Sequence, residues 1–119
     1  MLPKKHRLPA YLIPEVLKKG DCLQSLDFNV FVLPNTEKII RLAIIVPLRT
    51  SKSAVKRNRI KRLFKETIKA NLNKMKEGGD LIFLIKNKVL GKSFWEIKKA
   101  TETFLIKEKI INNNEKNSS

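Results

Sequence analysis

The chain is poor in the residues from which most active sites are built. Its 119 residues include one cysteine, one histidine, three aspartates and four glycines. A lone Cys22 cannot close an internal disulfide, which suits a reducing, cytoplasmic setting. Its place among apolar neighbours reads as a small buried hydrophobe. His6 has no His or Cys at metal-ligand spacing, so it reads as a solvated residue and no protein-bound metal or cofactor is expected. Asp21, Asp27 and Asp80 could in principle form a two-metal carboxylate site. Asp21 and Asp80 each follow a glycine and read more simply as turn residues. In "KEGGD", Gly78 and Gly79 end a helical pattern where a phosphate-binding loop would open one. No nucleophile motif occurs, and no small-molecule substrate is expected.

Long apolar runs are also missing. Leu42–Val46 and Leu81–Ile85 are too short to span a bilayer, so no membrane partner is expected. In "MLPKKHRLPAYLIPEV" prolines interrupt the apolar stretch and no small-residue cleavage site follows, so no secretory signal is expected. Acidic residues are scarce as well, 11 against 26 Lys and Arg, for a net charge of +15. Such an excess opposes compaction and calls for a polyanionic partner. Arg49 to Lys69 holds nine of the basic residues and only Glu66 as an acid.

With 42% hydrophobic residues, one domain of this length can bury a core without metal or disulfide. Met1 to Pro9 reads as a flexible basic arm. Pro14 to Gly20 reads as a short helix, with proline in its first turn and glycine after its end. Cys22 to Leu33 has apolar residues at period two, the pattern of a strand or bent pair of strands, with Phe31 on the face opposite to Phe28 and Val30. "LPNTEK" is a turn, and Ile39 to Val46, apolar on both sides, reads as a central strand. A long helix is expected from an N-cap at Ser53 to about Lys76, then a buried strand Asp80–Ile85. A last helix capped by Ser93 follows, with Phe94, Ile97, Ala100, Thr101, Phe104 and Leu105 on its apolar face. The tail "NNNEKNSS" is polar and expected to be disordered. The order predicts an α+β fold, helices on a mostly antiparallel sheet, with the strands on either side of the long helix able to pair in parallel.

The long helix carries the clearest functional signal. At 100° per residue from Arg57, Ile60, Leu63, Phe64 and Thr67 share an arc centred at about 290°, whereas Asn58, Arg62, Lys65 and Lys69 fall between about 80° and 140°. Lys61 lies beside that second cluster, and Arg57 and Arg59 sit on its two borders. A charge run usually marks a solvated face. Here, like charges three and four residues apart repel unless an anion relieves them, and arginine forks flank Asn58 on both sides.

The stretch "AVKRNRIKRLFKE", Ala54 to Glu66, resembles the signature of the bacterial ribonuclease P protein, in which an Arg-Asn-Arg core opens a long basic helix. "MLPKKHRL", "EVLKKG", "FNVFVLPN", "IIRLAIIV", "GGDLIFLI" and "SFWEIKKA" extend the resemblance in the family's order over about residues 1 to 110, leaving 111–119 as a tail. The resemblance implies a single-domain α-β sandwich, αβββαβα, with the basic helix in a left-handed βαβ crossover. It implies an RNA subunit that performs magnesium-dependent removal of the 5′ leader from precursor tRNA, assisted by the protein, which supplies no catalytic residue. Carried over, Arg57, Asn58 and Arg59 contact the catalytic RNA, with Lys56, Lys61, Arg62 and Lys65 extending the surface. Phe31 falls at the aromatic position of a leader-binding cleft. Ile13 and Leu17 stand where the family has phenylalanines, and "VPLRTSKS" departs from its Ser, Lys and Gly-rich connection. Composition alone serves equally for a structural RNA-binding protein such as a ribosomal protein.

Overall fold

The computed structural model describes residues 2–75 and 78–111. The elements are α1 (Ile13–Lys19), β1 (Asp21–Gln24), β2 (Phe28–Pro34), β3 (Arg41–Ile45), α2 (Ala54–Asn71), β4 (Gly79–Ile85) and α3 (Phe94–Lys107). The α+β order αβββαβα is as expected, and the bent pair resolves into a β1–β2 hairpin. The sheet order is β1-β2-β4-β3. β2 pairs antiparallel with β1 and β4, while β3 and β4, joined through α2, run parallel.

Register sorts the side chains into two layers, because directly paired residues share a face. Phe28, Val30, Leu81, Phe83, Ile85, Leu42 and Ile44 form one side of the main core. Ile60, Phe64 and Ile68 of α2 and Ile97, Phe104 and Leu105 of α3 close it. Phe28, fully buried, is its hub: ring centroids lie 5.7 Å from Phe64, 5.6 Å from Phe83 and 5.1 Å from Phe104. One ring therefore fixes both long helices to the sheet. The opposite face carries a smaller cluster around Leu8, Val16 and Ile82, where α1 packs on β2 and β4.

Several expectations are corrected. The N-terminal segment is a docked strap: Leu2 is buried in the main core, and Leu8 N–H donates to the Leu42 carbonyl at 2.9 Å. His6 Nδ1, 2.8 Å from the Ile40 carbonyl, donates its proton there, so it is not a solvated residue. β3 is an edge strand, not a central one. It is apolar on both sides because Leu42 and Ile44 face the main core while Ala43 and Ile45 face the α1 layer, and the strap shields its open edge at the Arg7–Leu42 bridge. Cys22 is exposed, since β1 is the other edge and α1 packs on β2 and β4. α2 ends at Asn71, where its carboxamide donates to the Thr67 carbonyl at 2.8 Å, and a tighter helical turn, Leu72–Lys74, follows. Lys76, the expected helix end, lies outside the described residues. Ile111, expected in the tail, belongs to the fold, buried and bridged to Met75, and the rest of the expected tail, 112–119, lies outside the described residues.

Nor is Asp80 a turn residue. It is buried in β4, accepts from Arg41 Nε at 2.7 Å and Nη2 at 2.9 Å, and accepts again from Asn35 Nδ2 at 2.6 Å. Removing one partner of a buried pair strands the other's charge. Asp80→Ala should therefore lower unfolding stability by about 3 kcal/mol, measured by urea denaturation; a change under about 1 kcal/mol would contradict this role.

Candidate RNA interface

α2 begins where Ser53 Oγ accepts the Lys56 N–H at 3.2 Å, the expected cap. Arg57 Nη1 donates to the Ser51 carbonyl at 2.8 Å, tying the first turn to the loop before it. Ile60, Phe64, Thr67 and Ile68 are buried against the sheet side, and Lys56, Asn58, Arg59, Arg62 and Lys69 are exposed. Arg57, Lys61 and Lys65 are half-buried. The expected residues wrap around the helix: Asn58, Arg62 and Lys65 share its solvent side, Arg57 and Lys61 border the buried arc on one flank, and Lys56 and Arg59 lie on the other flank beside Ile60 and Leu63. Among the described residues, ion pairs form at Glu15–Lys19, Arg41–Asp80, Asp27–Lys92 and Glu102–Lys98, and none involves a cation of α2.

A second contact holds α2 in place. Glu102 of α3 accepts from Asn71 Nδ2 at 2.9 Å and from Lys98 Nζ at 2.9 Å. Burial pushes the Glu102 carboxyl up, but the hydrogen bonds from Asn71 and Lys98 outweigh it and leave its pKa below the ordinary glutamate value. At the other end of α3, Glu96 accepts the Ser93 N–H in a capping box, which also lowers its pKa.

On the opposite face of the sheet, Cys22, Phe31, Ile82 and Ala43 lie in one row across the four strands. Phe31 is half-buried there, and Ile13 of α1 packs into the same cluster. Leu17, one turn further along α1, is exposed and outside that cluster. The structure brings Phe31 and Ile13 together and leaves Leu17 at the margin. One residue missed from the sequence adjoins this surface. Asn29, on the same face as Phe31, has a buried Oδ1 without a hydrogen-bond partner, and it lines a cavity of about 330 Å³ with Arg49. Period two, which places residues 29 and 31 on one face, was the available signal for Asn29.

The carboxylates do not converge. Asp27 is buried and held by Lys92 Nζ at 2.8 and 3.0 Å, next to the Phe28–Ile85 end of the β2–β4 ladder, whereas Asp80 lies at its other end. Asp21 pairs with Val32 and Asp80 with Leu33, consecutive residues that point to opposite faces. A two-metal site built from these three is excluded by their positions, and Asp27 and Asp80 are each already paired with a cation. Among the described residues no three His, Cys, Asp or Glu side chains cluster as metal ligands, and no helix is long and apolar enough to cross a membrane.

A four-stranded sheet with three helices, whose longest helix carries cations that form no ion pair among the described residues, defines a small, basic α+β protein. The Ribonuclease P family model matches residues 2–109. The ribonuclease P protein component of Clostridium botulinum (strain Loch Maree / Type A3) is 36% identical over 98 residues, covering 82% of this chain and 87% of that protein. That of Borrelia duttonii (strain Ly) is 33% identical over 102 residues, covering 82% and 89%. The Staphylococcus aureus RNase P protein structure superposes with a TM-score of 0.82 at 26% identity, covering 92% of this chain and all of that one. The chain belongs to the ribonuclease P protein component family, proteins of a ribonuclease.

Two stability outcomes follow from this geometry. Lys65 has cations three, four and again four residues away, at Arg62, Lys61 and Lys69. Lys65→Gln should raise stability at low salt by about 0.5 kcal/mol, and a loss of stability would show that the repulsion is already relieved within the chain. Because the Glu102 pKa is lowered on folding, its contribution is complete above the ordinary value of about 4.3 and is lost as pH falls through the folded value. Chemical denaturation between about pH 5 and 3 should show a fall in stability that is shallower in Glu102→Gln; identical slopes would contradict the assignment.

Proposed function

We propose that this chain is the protein subunit that assists a catalytic RNA in removing the 5′ leader of precursor tRNA. The observation that carries this reading is the α2 face, where Lys56, Arg59 and Arg62 are exposed and no cation of the helix is ion-paired among the described residues. Such a face is electrostatically incomplete, and RNA phosphates complete it. Arg57 and Arg59 present planar forks to phosphate oxygens, while Asn58 between them can donate and accept at a base edge or a 2′-hydroxyl. Lys61 and Lys65 supply further charge from the border of the face.

Chemistry in this reading belongs to the RNA and its magnesium ions. The protein's part is to neutralise phosphate repulsion, so that the folded RNA holds magnesium at lower concentration, and to hold the leader. The leader crosses the α1 side of the sheet, where the half-buried Phe31 offers a ring for one unpaired base. Ile13 fills space beside it, and Leu17 at the exposed margin adds apolar surface without an aromatic face. The working compartment is the cytoplasm, where precursor tRNA is made.

With 6 to 8 phosphates contacted, roughly, the logarithm of the RNA association constant should fall against the logarithm of salt with a slope of about −5. A flat profile would remove the electrostatic account. Phe31→Ala should weaken binding of leader-bearing tRNA by about 1 to 3 kcal/mol while leaving mature tRNA unaffected. Equal losses for both substrates would place Phe31 outside leader recognition.

A further inference from the structure

Beside the cationic face of α2 lies a groove of about 450 Å³, within the size range of small-ligand sites. One wall is the first half of α2, with Lys56, Arg59, Ile60 and Leu63. The other is the β4–α3 connection and the start of α3, with Val89, Leu90 and Ile97. Its floor is apolar and buried: Ile60, Val89 and Ile97 are 7%, 1% and 2% exposed. Its mouth is apolar too, since Leu90 is 43% exposed and Leu63 only half-buried.

The loop wall is built rather than loose. Gly91, at φ +82°, reverses the chain in the left-handed region, Ser93 and Glu96 cap α3 reciprocally, and Lys92 is tied to Asp27 by two contacts. Lys92 and Glu96 are thereby both engaged, so the unengaged charges at the rim are Lys56 and Arg59, neither ion-paired among the described residues. An apolar slot with two cations on one lip matches a single unstacked nucleotide. The base lies between Leu63 and Leu90, and the flanking phosphates meet Lys56 and Arg59. An acidic peptide would satisfy the cations but leave the slot unfilled.

We infer that this groove seats one unpaired base of the catalytic RNA, fixing the register of α2 on it where charge alone would permit sliding. The inference rests on the RNA-docking reading above and adds an uncharged contact to it.

The test is chemical probing of the catalytic RNA from the same source, with a base-specific reagent and with backbone cleavage, bound to the wild-type chain, Leu90→Ala or Leu90→Glu. One unpaired base should be protected by the wild type and released by Leu90→Glu, with backbone protections kept. Those protections also report that the variant is folded. Leu90→Ala should lose roughly tenfold in affinity at every salt concentration with an unchanged salt slope, whereas Lys56→Ala should reduce the slope by about 1. Backbone protection without a Leu90-dependent base, or a Leu90→Ala loss that vanishes at high salt, overturns the groove proposal alone. No backbone protection by the wild type overturns the docking reading, and this proposal with it.

Discussion

The contact on which the rest depends is the packing of Phe64 against Phe28 and Phe83. The outward face of α2 is a row of like charges that repel along the helix and oppose its formation. What holds it as a helix is burial of the opposite face: Ile60, Phe64 and Ile68 are almost wholly removed from water, each by an amount worth about 1.5 to 3 kcal/mol. Repulsion between exposed pairs costs only tenths of a kilocalorie each, so the apolar face wins by a wide margin. The helix can therefore present unneutralised charge as a standing surface.

Phe28 extends that logic to the whole molecule. Its ring also touches Phe104, so α2 and α3 share one anchor, and the Asn71–Glu102–Lys98 bonds align them further along. The same sheet then divides two tasks between its faces. One face carries the core that supports the cationic helix. The other carries the thinner α1 layer, in which Phe31 remains half-open. Buried acids are spent on structure, Asp80 on Arg41 and Asp27 on Lys92, and among the described residues no carboxylates converge as a metal-binding group.

Much of this was legible in the residues. The 3.6 period of α2, its Ser53 cap and the Ser93 cap of α3 are local signals, and the structure reproduces them. The helical wheel separated the buried side of α2 from its solvent side, as burial of Ile60, Phe64 and Thr67 shows. What local patterns could not convey was tertiary. An apolar strand looks the same whether it is central or an edge covered on both faces, as β3 is. Asp80 next to Gly79 looks like a turn until Arg41, 39 positions away, is seen to lie opposite it. The basic opening segment looks like a free arm because the carbonyls of Ile40 and Leu42 that hold it are distant in sequence. Cys22 looked buried because alternation identifies a shared face without saying whether anything covers it.

The proposal that the exposed cations of α2 dock a catalytic RNA, which performs the chemistry, stands or falls on one reaction. The most direct measurement is cleavage of a precursor tRNA at low magnesium by the candidate catalytic RNA from the same source, with and without the purified chain. The account predicts 5′ cleavage only when both are present, and its loss when Arg57 and Arg59 are both replaced by alanine. Cleavage by the chain alone, or no stimulation of the RNA by the chain, would contradict it.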